Sequence, residues 1–304
     1  MMAMGIILTA MKALLLLLLV LLAAPLIAED DAEAAAEAVE VAPPPPDHHA
    51  LRLAEIRALP LEGEKLELMT GEGPTFALYL ANSSSRHRGA VVLLHDHHHH
   101  LIDAPLEGLR LGLSQHGWDT LAVQLPRRKV DEERLDWLER SKDHINAALG
   151  YLEGRDSGSV ALIGHGSGAL LAVDWLFNTS RDRVLGLVAI SMDGSADPEP
   201  RLDAPRQMGQ VNVPVLDVYA MHDRPIVRHT AERRAREAQR TRRNDNSDER
   251  VRYRDIAPGY SPRRGDRVHY RQLQIPGVDH TYQPNEALLL RAVRGWLQRH
   301  AKPQ

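Results

Sequence analysis

Three groups of residues in this chain are of a kind to do chemistry, and they follow one another in a telling order. Val160-Ala161-Leu162-Ile163 runs into Gly164-His165-Gly166-Ser167-Gly168 and then into Ala169-Leu170-Leu171-Ala172-Val173. That is a strand, a sharp turn and a helix, the elbow in which the centre of G-x-S-x-G stands at a strained apex between small flanks. Gly164 and Gly168 are the flanks, so the apex is Gly166, which has no side chain to attack with. Ser167, one position on, is the nearest hydroxyl. Acting as nucleophile there would put His165 in a flank that suits only a small residue, and a serine at a helix start ordinarily satisfies free amides. Further along stand Asp223, in Val215-Leu216-Asp217-Val218-Tyr219-Ala220-Met221-His222-Asp223-Arg224-Pro225, and His280, in Ile275-Pro276-Gly277-Val278-Asp279-His280. A carboxylate bonded to one imidazole nitrogen fixes the tautomer and leaves the other nitrogen to take a proton from a hydroxyl. The same pair would equally anchor two loops, because unpairing either buried group costs about 1–3 kcal/mol.

A second chemical feature is His95-Asp96-His97-His98-His99-His100, directly after the apolar run Val91-Val92-Leu93-Leu94. His95 and Asp96 fall where a loop would face the elbow. Four consecutive histidines, His97, His98, His99 and His100, could offer two ligands to a metal, with Asp96, His222 or His280 completing the set; zinc or copper would suit imidazole. The spacing matches no compact zinc motif, and a polar histidine-rich loop that gains charge on mild acidification is the plainer reading. No cofactor is otherwise expected.

These residues need a scaffold, and the surrounding pattern supplies one. Lys65 to Thr70, Thr75 to Ala81 and Ala90 to Leu94 read as three successive strands, predicted to form an antiparallel lead-in. Helices and strands then alternate: a helix over Leu106 to Gln115, a strand over Thr120 to Leu125, a helix over Asp131 to Leu152, and the elbow with its helix to about Asn178. Strands over Val184 to Ile190, Val213 to Ala220 and Tyr270 to Ile275 and a helix over Asn285 to Arg299 complete the series. Alternation of this kind gives an α/β fold, a mostly parallel central sheet with helices on both faces. Arg240 to Asp266 interrupts the rhythm and reads as a solvated, mobile insertion. Met192 to Asn212 reads as a lid whose Gly, Asp and Pro content points to no ligand type.

In the order of these elements the chain resembles the α/β-hydrolase superfamily over nearly all of residues 60 to 300. The resemblance implies a nucleophile at the elbow, a catalytic acid at Asp223, a catalytic histidine at His280 and an oxyanion loop at His95 and Asp96. It also implies that the amide of the residue after the apex donates to an oxyanion. More narrowly, Gly89 through Pro105 with Gly117-Trp118-Asp119-Thr120-Leu121 resembles an uncharacterised family of exported bacterial proteins, a domain of unknown function. In that family an Asp/Gly/His loop and a proline lead into the first helix, and the apex often lacks serine. Here Ala104 stands where a tryptophan is usual.

The N-terminus speaks to location. Met11-Lys12, the run Leu14 to Leu22 and Ala23-Ala24-Pro25-Leu26-Ile27-Ala28 before Glu29-Asp30 form the positive, apolar and small-residue regions of a secretory signal peptide. Residues 1–28 are therefore expected to direct export to the periplasm or medium and to be cut after Ala28, with Ala24 as the alternative site and an uncleaved anchor over Gly5 to Ala28 as the other outcome. Residues 29–50, rich in Ala and Glu and ending in four prolines, read as a disordered tether, and 51–304 as the folded domain.

With 304 residues and a formal net charge of -4, the chain can bury a full core and shows no basic footprint for nucleic acid. The absence of cysteine excludes disulfides, thiolate metal sites and a cysteine nucleophile. Two readings follow. In the first, an exported protein without serine-hydrolase activity keeps a cleft for a small-molecule or cell-envelope ligand, since helix-start amides beside Gly166 attract anions. In the second, an active periplasmic hydrolase of ester or envelope substrates uses Ser167 or a metal-bound water with Asp223 and His280. A tethered scaffold is a third possibility. The membrane is met only transiently, through the signal peptide.

Overall fold

In the computed structural model the described residues are 47–179, 184–194, 203–256 and 270–300. Eight strands form one sheet: β1 (Glu64–Thr70), β2 (Gly73–Leu80), β3 (Gly89–Leu94), β4 (Trp118–Val123), β5 (Val160–His165), β6 (Val184–Ile190), β7 (Val215–His222) and β8 (Tyr270–Asp279), in the order β1-β2-β4-β3-β5-β6-β7-β8. The sheet is mixed. β1 pairs antiparallel with β2 and β2 antiparallel with β4, whereas β4, β3, β5, β6, β7 and β8 are parallel to one another.

This corrects the expected lead-in of three antiparallel strands, because β3 leaves β2 and lies between β4 and β5. The reason is apolarity. Every residue of β3 is buried, as a strand covered on both faces requires, while β1 exposes Glu64, Lys65 and Glu67 and is fit for a sheet edge.

Among the described residues seven helices cover the sheet: α1 (His48–Ala58), α2 (Leu106–Ser114), α3 (Arg134–Gly154), α4 (Ser167–Asn178), α5 (Ala204–Gln210), α6 (Pro225–Ile256) and α7 (Glu286–His300). Strand alternation sends side chains to two separate cores. Val92, Leu94, Leu162 and Leu187 pack with residues of α3, α4 and α5, and Val91, Leu93, Ile163 and Val188 pack with residues of α1, α2 and α7. The expected helices on both faces are thus present.

α1 begins at His48, so the last three residues of the anticipated 29–50 tether are helical; Ile56 is its buried anchor. The Arg-rich stretch from Arg240 is likewise helical as far as Ile256. Val227, Ala231, Arg234 and Ala238 are the buried stripe that holds the preceding turns of α6 down, at the spacing of one helix face. Within the anticipated lid, α5 is capped by Asp203, which accepts from the Arg206 amide. The signal segment 1–28 with both cleavage positions, the tether up to residue 46, the lid stretch 195–202 and residues 257–266 lie outside the described residues. Among the described residues no helix is long and apolar enough to cross a membrane.

Candidate functional site

Every candidate residue stands at the carboxyl end of a parallel strand, where open α/β sheets form their binding crevice. His95 and Asp96 follow β3, Gly166 and Ser167 follow β5, Ser191 follows β6, Asp223 follows β7 and His280 follows β8. Because β3, β5, β6, β7 and β8 are neighbours, residues far apart in sequence meet at one edge.

The elbow is built as its glycines foretell. A methyl group at Gly164 would lie 2.4 Å from the Ala169 Cα, and one at Gly168 would lie 2.3 Å from the Leu94 carbonyl oxygen, so neither flank tolerates a side chain. Gly166 has φ 56° and ψ -119°, a backbone region that disfavours side chains. Its amide donates to the Ile190 carbonyl at 2.9 Å, tying the apex to β6.

What stands at the apex is the decisive feature. A Cβ on Gly166 would fall 2.3 Å from Asp96 Oδ2 and 2.7 Å from its Cγ. The carboxylate of Asp96, carried on the loop after β3, occupies the room that a nucleophile side chain would need. It is buried, 1% exposed. Its Oδ1 accepts from the Ser167 hydroxyl at 3.1 Å and faces His97 Nδ1 at 3.0 Å. Its Oδ2 accepts from Arg224 Nη1 at 3.0 Å and lies 3.7 Å from His280 Nε2, too far for a hydrogen bond. Burial alone would raise the Asp96 pKa, but interaction with His280 and His97 outweighs it and holds the carboxyl well below the usual carboxylate range.

Ser167 is consequently not aimed at the histidine. Its hydroxyl donates to Asp96 and accepts from the His97 amide at 2.7 Å. That amide belongs to the loop after β3, which in this type of site supplies one oxyanion donor, and here it is taken up by the Ser167 oxygen.

Asp223 and His280 do meet, with His280 Nδ1 2.8 Å from Asp223 Oδ1. The carboxylate also accepts from the Arg224 amide at 2.9 Å, the Ala220 amide at 3.0 Å and the Ser191 hydroxyl. Burial raises its pKa, yet the bonds from His280 and Ser191 lower it further, so Asp223 stays ionised. Burial lowers the pKa of His280, and the partners Asp223 and Asp96 more than reverse that, leaving it raised. With Nδ1 bound to a carboxylate, the hydrogen sits on Nδ1 and Nε2 is buried without a hydrogen-bond partner.

Sequence reasoning missed Arg224, Ser191 and Tyr282. Ser191 has φ 47°, unusual for a residue with a side chain, and its hydroxyl donates to Asp223 and lies 2.8 Å from the buried Tyr282 hydroxyl. Ser191 directly follows the end of β6, which is the signal that could have marked it.

The histidine run does not converge. His97 turns to Ser167 and Asp96, His98 is exposed and lies tilted against His97 with ring centres 3.8 Å apart, His99 lies parallel to His165 at 6.1 Å, and His100 stacks on His49 at 4.3 Å. Among the described residues no group of three or more His, Cys, Asp or Glu side chains is arranged to hold a metal ion. As placed, the rings of His97, His98, His99 and His100, expected to offer two ligands to zinc or copper with Asp96, His222 or His280, turn to separate neighbours along the loop. His95, expected beside the oxyanion, is a structural pin. Its Nε2 accepts the Leu125 amide at 2.7 Å, so Nδ1 carries the hydrogen and donates to the Asp96 carbonyl at 2.7 Å.

Two of these imidazoles set an acid limit on stability. Burial pushes His95 down to about 3; burial, and then the charge of His280, push His165 down to about 3. A folded pKa below the unfolded value of 6.5 means that stability is full above pH 6.5 and is lost as pH falls toward 3. At pH 5 each should cost about 2 kcal/mol. His98, His99 and His144 shift the same way, and only His280 opposes them. Urea unfolding at pH 7.5 and pH 5 should show a markedly lower free energy at pH 5; equal values would refute neutral buried imidazoles.

Comparison with known proteins places the family and the fold. The sequence profile described as a protein of unknown function, DUF3530, matches residues 11–136 and 127–248. The chain belongs to the DUF3530 family. No curated protein matches the sequence. Among solved structures, the DUF3530 chain is similar to Est1E from Butyrivibrio proteoclasticus, with a TM-score of 0.54 and 15% identity over 78% of this chain and 98% of that one. It is similar also to dienelactone hydrolase from Anabaena variabilis, at 0.55 and 14% over 79% and 99%. The esterase domain of a Rhodothermus marinus protein aligns at 0.55 and 11% over 80% and 100%. At such identities the likeness shows the fold alone, and the DUF3530 chain has the α/β-hydrolase fold.

Proposed function

We propose that this DUF3530 protein is exported and holds a small-molecule or cell-envelope ligand in its cleft without classical serine-hydrolase activity. The observation that carries the reading is the carboxylate of Asp96 lying 2.3 Å from where a side chain on Gly166 would begin. A serine elbow needs a hydroxyl at that point with its proton directed to the histidine. Here the apex has no side chain, its room is filled by an anion, and the adjacent Ser167 hydroxyl donates its hydrogen bond to Asp96. Export is supported by Met11-Lys12, the leucine run and Ala28.

The intact contact between His280 and Asp223 favours a second reading, an active hydrolase of ester or envelope substrates working in the same cleft. The two part on one experiment. The protein is recovered from the periplasm, its mature N-terminus is determined, and it is treated with a fluorophosphonate probe beside Ser167→Ala. The expected result is a chain starting at Glu29 or Pro25 and no stoichiometric label on either protein. Full labelling that disappears in Ser167→Ala would restore the serine reading.

A further inference from the structure

The two oxygens of Asp96 have different surroundings. Oδ1 is engaged by the Ser167 hydroxyl and His97 Nδ1. Oδ2 lies over Gly166, 3.7 Å from His280 Nε2, and accepts a hydrogen bond from Arg224, which is 39% exposed. A carboxylate differs from a hydroxyl in needing no base before it attacks, so a histidine beside it is left free for a second step. His280 has that form: Nδ1 is fixed on Asp223, and Nε2 is buried with no hydrogen-bond partner.

We propose that Asp96 is a nucleophile, forming an ester with a short, carboxylate-bearing alkyl substrate that a His280-activated water then hydrolyses. The proposal rests on the cleft being a ligand site without serine chemistry. In the first step Oδ2 bonds to a saturated carbon while that carbon's bond to its leaving group breaks, and the leaving group departs as an anion with the electron pair. In the second, water adds to Asp96 Cγ and its proton passes to His280 Nε2. Collapse then breaks the bond from Cγ to the alkyl oxygen, the alcohol takes the proton from His280, and the new Asp96 carboxyl, which holds one oxygen from water, releases the second proton of that water to solvent to restore the carboxylate. Oδ1 carries the developing negative charge in that step, and the Ser167 hydroxyl and His97 are already placed on it.

The substrate's charge follows from Arg224. Because Arg224 is partly exposed, it can turn from Oδ2 to an anionic partner that the incoming molecule brings. A substrate carboxylate supplies that partner and aligns the carbon beside it with Oδ2. A planar fork of donors suits a carboxylate.

Bromoacetate has the required parts and serves as the probe, with the full mature chain, His280→Asn and the isosteric Asp96→Asn. His280→Asn should accumulate one carboxymethyl group on the peptide holding Asp96, released by hydroxylamine as esters are. A single turnover of the unmodified protein in heavy-oxygen water should place one heavy oxygen in Asp96. Asp96→Asn, shown folded by its thermal melt, should give neither. The proposal falls if Asp96 stays unmodified, or if carboxymethylation is confined to histidines and is unchanged in Asp96→Asn. A raised melting temperature with bromoacetate but an unmodified Asp96 defeats the nucleophile and leaves the ligand cleft standing, whereas no shift and no adduct defeats both.

Discussion

Gly166→Ser alone is expected to lose about 3 kcal/mol of stability and to remain unlabelled by a fluorophosphonate, whereas Gly166→Ser combined with Asp96→Gly should gain stoichiometric labelling. Two costs add in the single variant. Its φ of 56° and ψ of -119° disfavour a side chain, and the new Cβ would meet Asp96 Oδ2 at 2.3 Å. Moving Asp96 aside would take a buried carboxylate away from Ser167, His97 and Arg224 together. Removing that carboxylate empties the room and leaves only the backbone strain. The introduced hydroxyl then stands where Oδ2 stood, on the side of His280 Nε2, and Nε2 is set to take its proton because Nδ1 is held by Asp223. Arg224 is well enough exposed to lose its partner to water without a large penalty. Urea unfolding and intact mass after labelling read the two effects. A folded double variant that stays unlabelled would show that His280 is no longer a competent base, and a single variant as stable as the parent would show that Asp96 does not fill the apex.

The elbow was legible in the sequence because its geometry acts through residue size at fixed spacing. Close backbone approach at Gly164 and Gly168 leaves a compositional trace whatever stands between them. The pairing of Asp223 with His280 was legible for a related reason, since both end strands whose apolar runs could be seen. Asp96 was placed on the right loop, but its arrival at the apex could not be read, because it depends on β3 lying directly beside β5 and on a side chain's direction above Gly166. Sequence order suggested instead that β3 would continue an antiparallel series. The histidines were legible as a run but not as a geometry: identical side chains in sequence say nothing of convergence, and here the four rings turn to different neighbours. Arg224 escaped notice because an arginine before a proline at a turn looks like any solvated charge. α6 was obscured by its arginines, whose number masks a buried stripe made largely of small residues and one buried guanidinium.

That guanidinium gives the second large effect: Arg234→Met is expected to cost about 3–5 kcal/mol, and adding Asp217→Leu should recover part of the loss. Both side chains are fully buried. Arg234 Nε donates to Asp217 Oδ2 at 2.8 Å and Nη2 to Oδ1 at 3.2 Å, while Nη1 reaches the Thr230 hydroxyl at 2.8 Å and the Val227 carbonyl at 3.1 Å. Asp217 Oδ2 also accepts from the Tyr270 hydroxyl at 2.7 Å and from Gln272 at 2.9 Å. Methionine fills much of the volume but leaves a buried carboxylate with only neutral donors, which is the costly half of a broken pair. Removing the carboxylate as well trades that charge for two unpaired neutral groups, at about 1–3 kcal/mol each. Gln272 keeps a bond to the Ala231 carbonyl and so loses less. Chemical unfolding of the parent, the single and the double variant tests the order; a double variant less stable than the single would mean that the pair contributes packing rather than charge compensation. The clamp also bears on the cleft, since Asp217 lies on β7, Asp223 ends that strand, and α6 begins at Pro225. Loosening α6 from β7 therefore loosens the turn that aims Arg224 at Asp96, so Arg234→Met should weaken bromoacetate protection in thermal melts at a temperature where the variant is still folded.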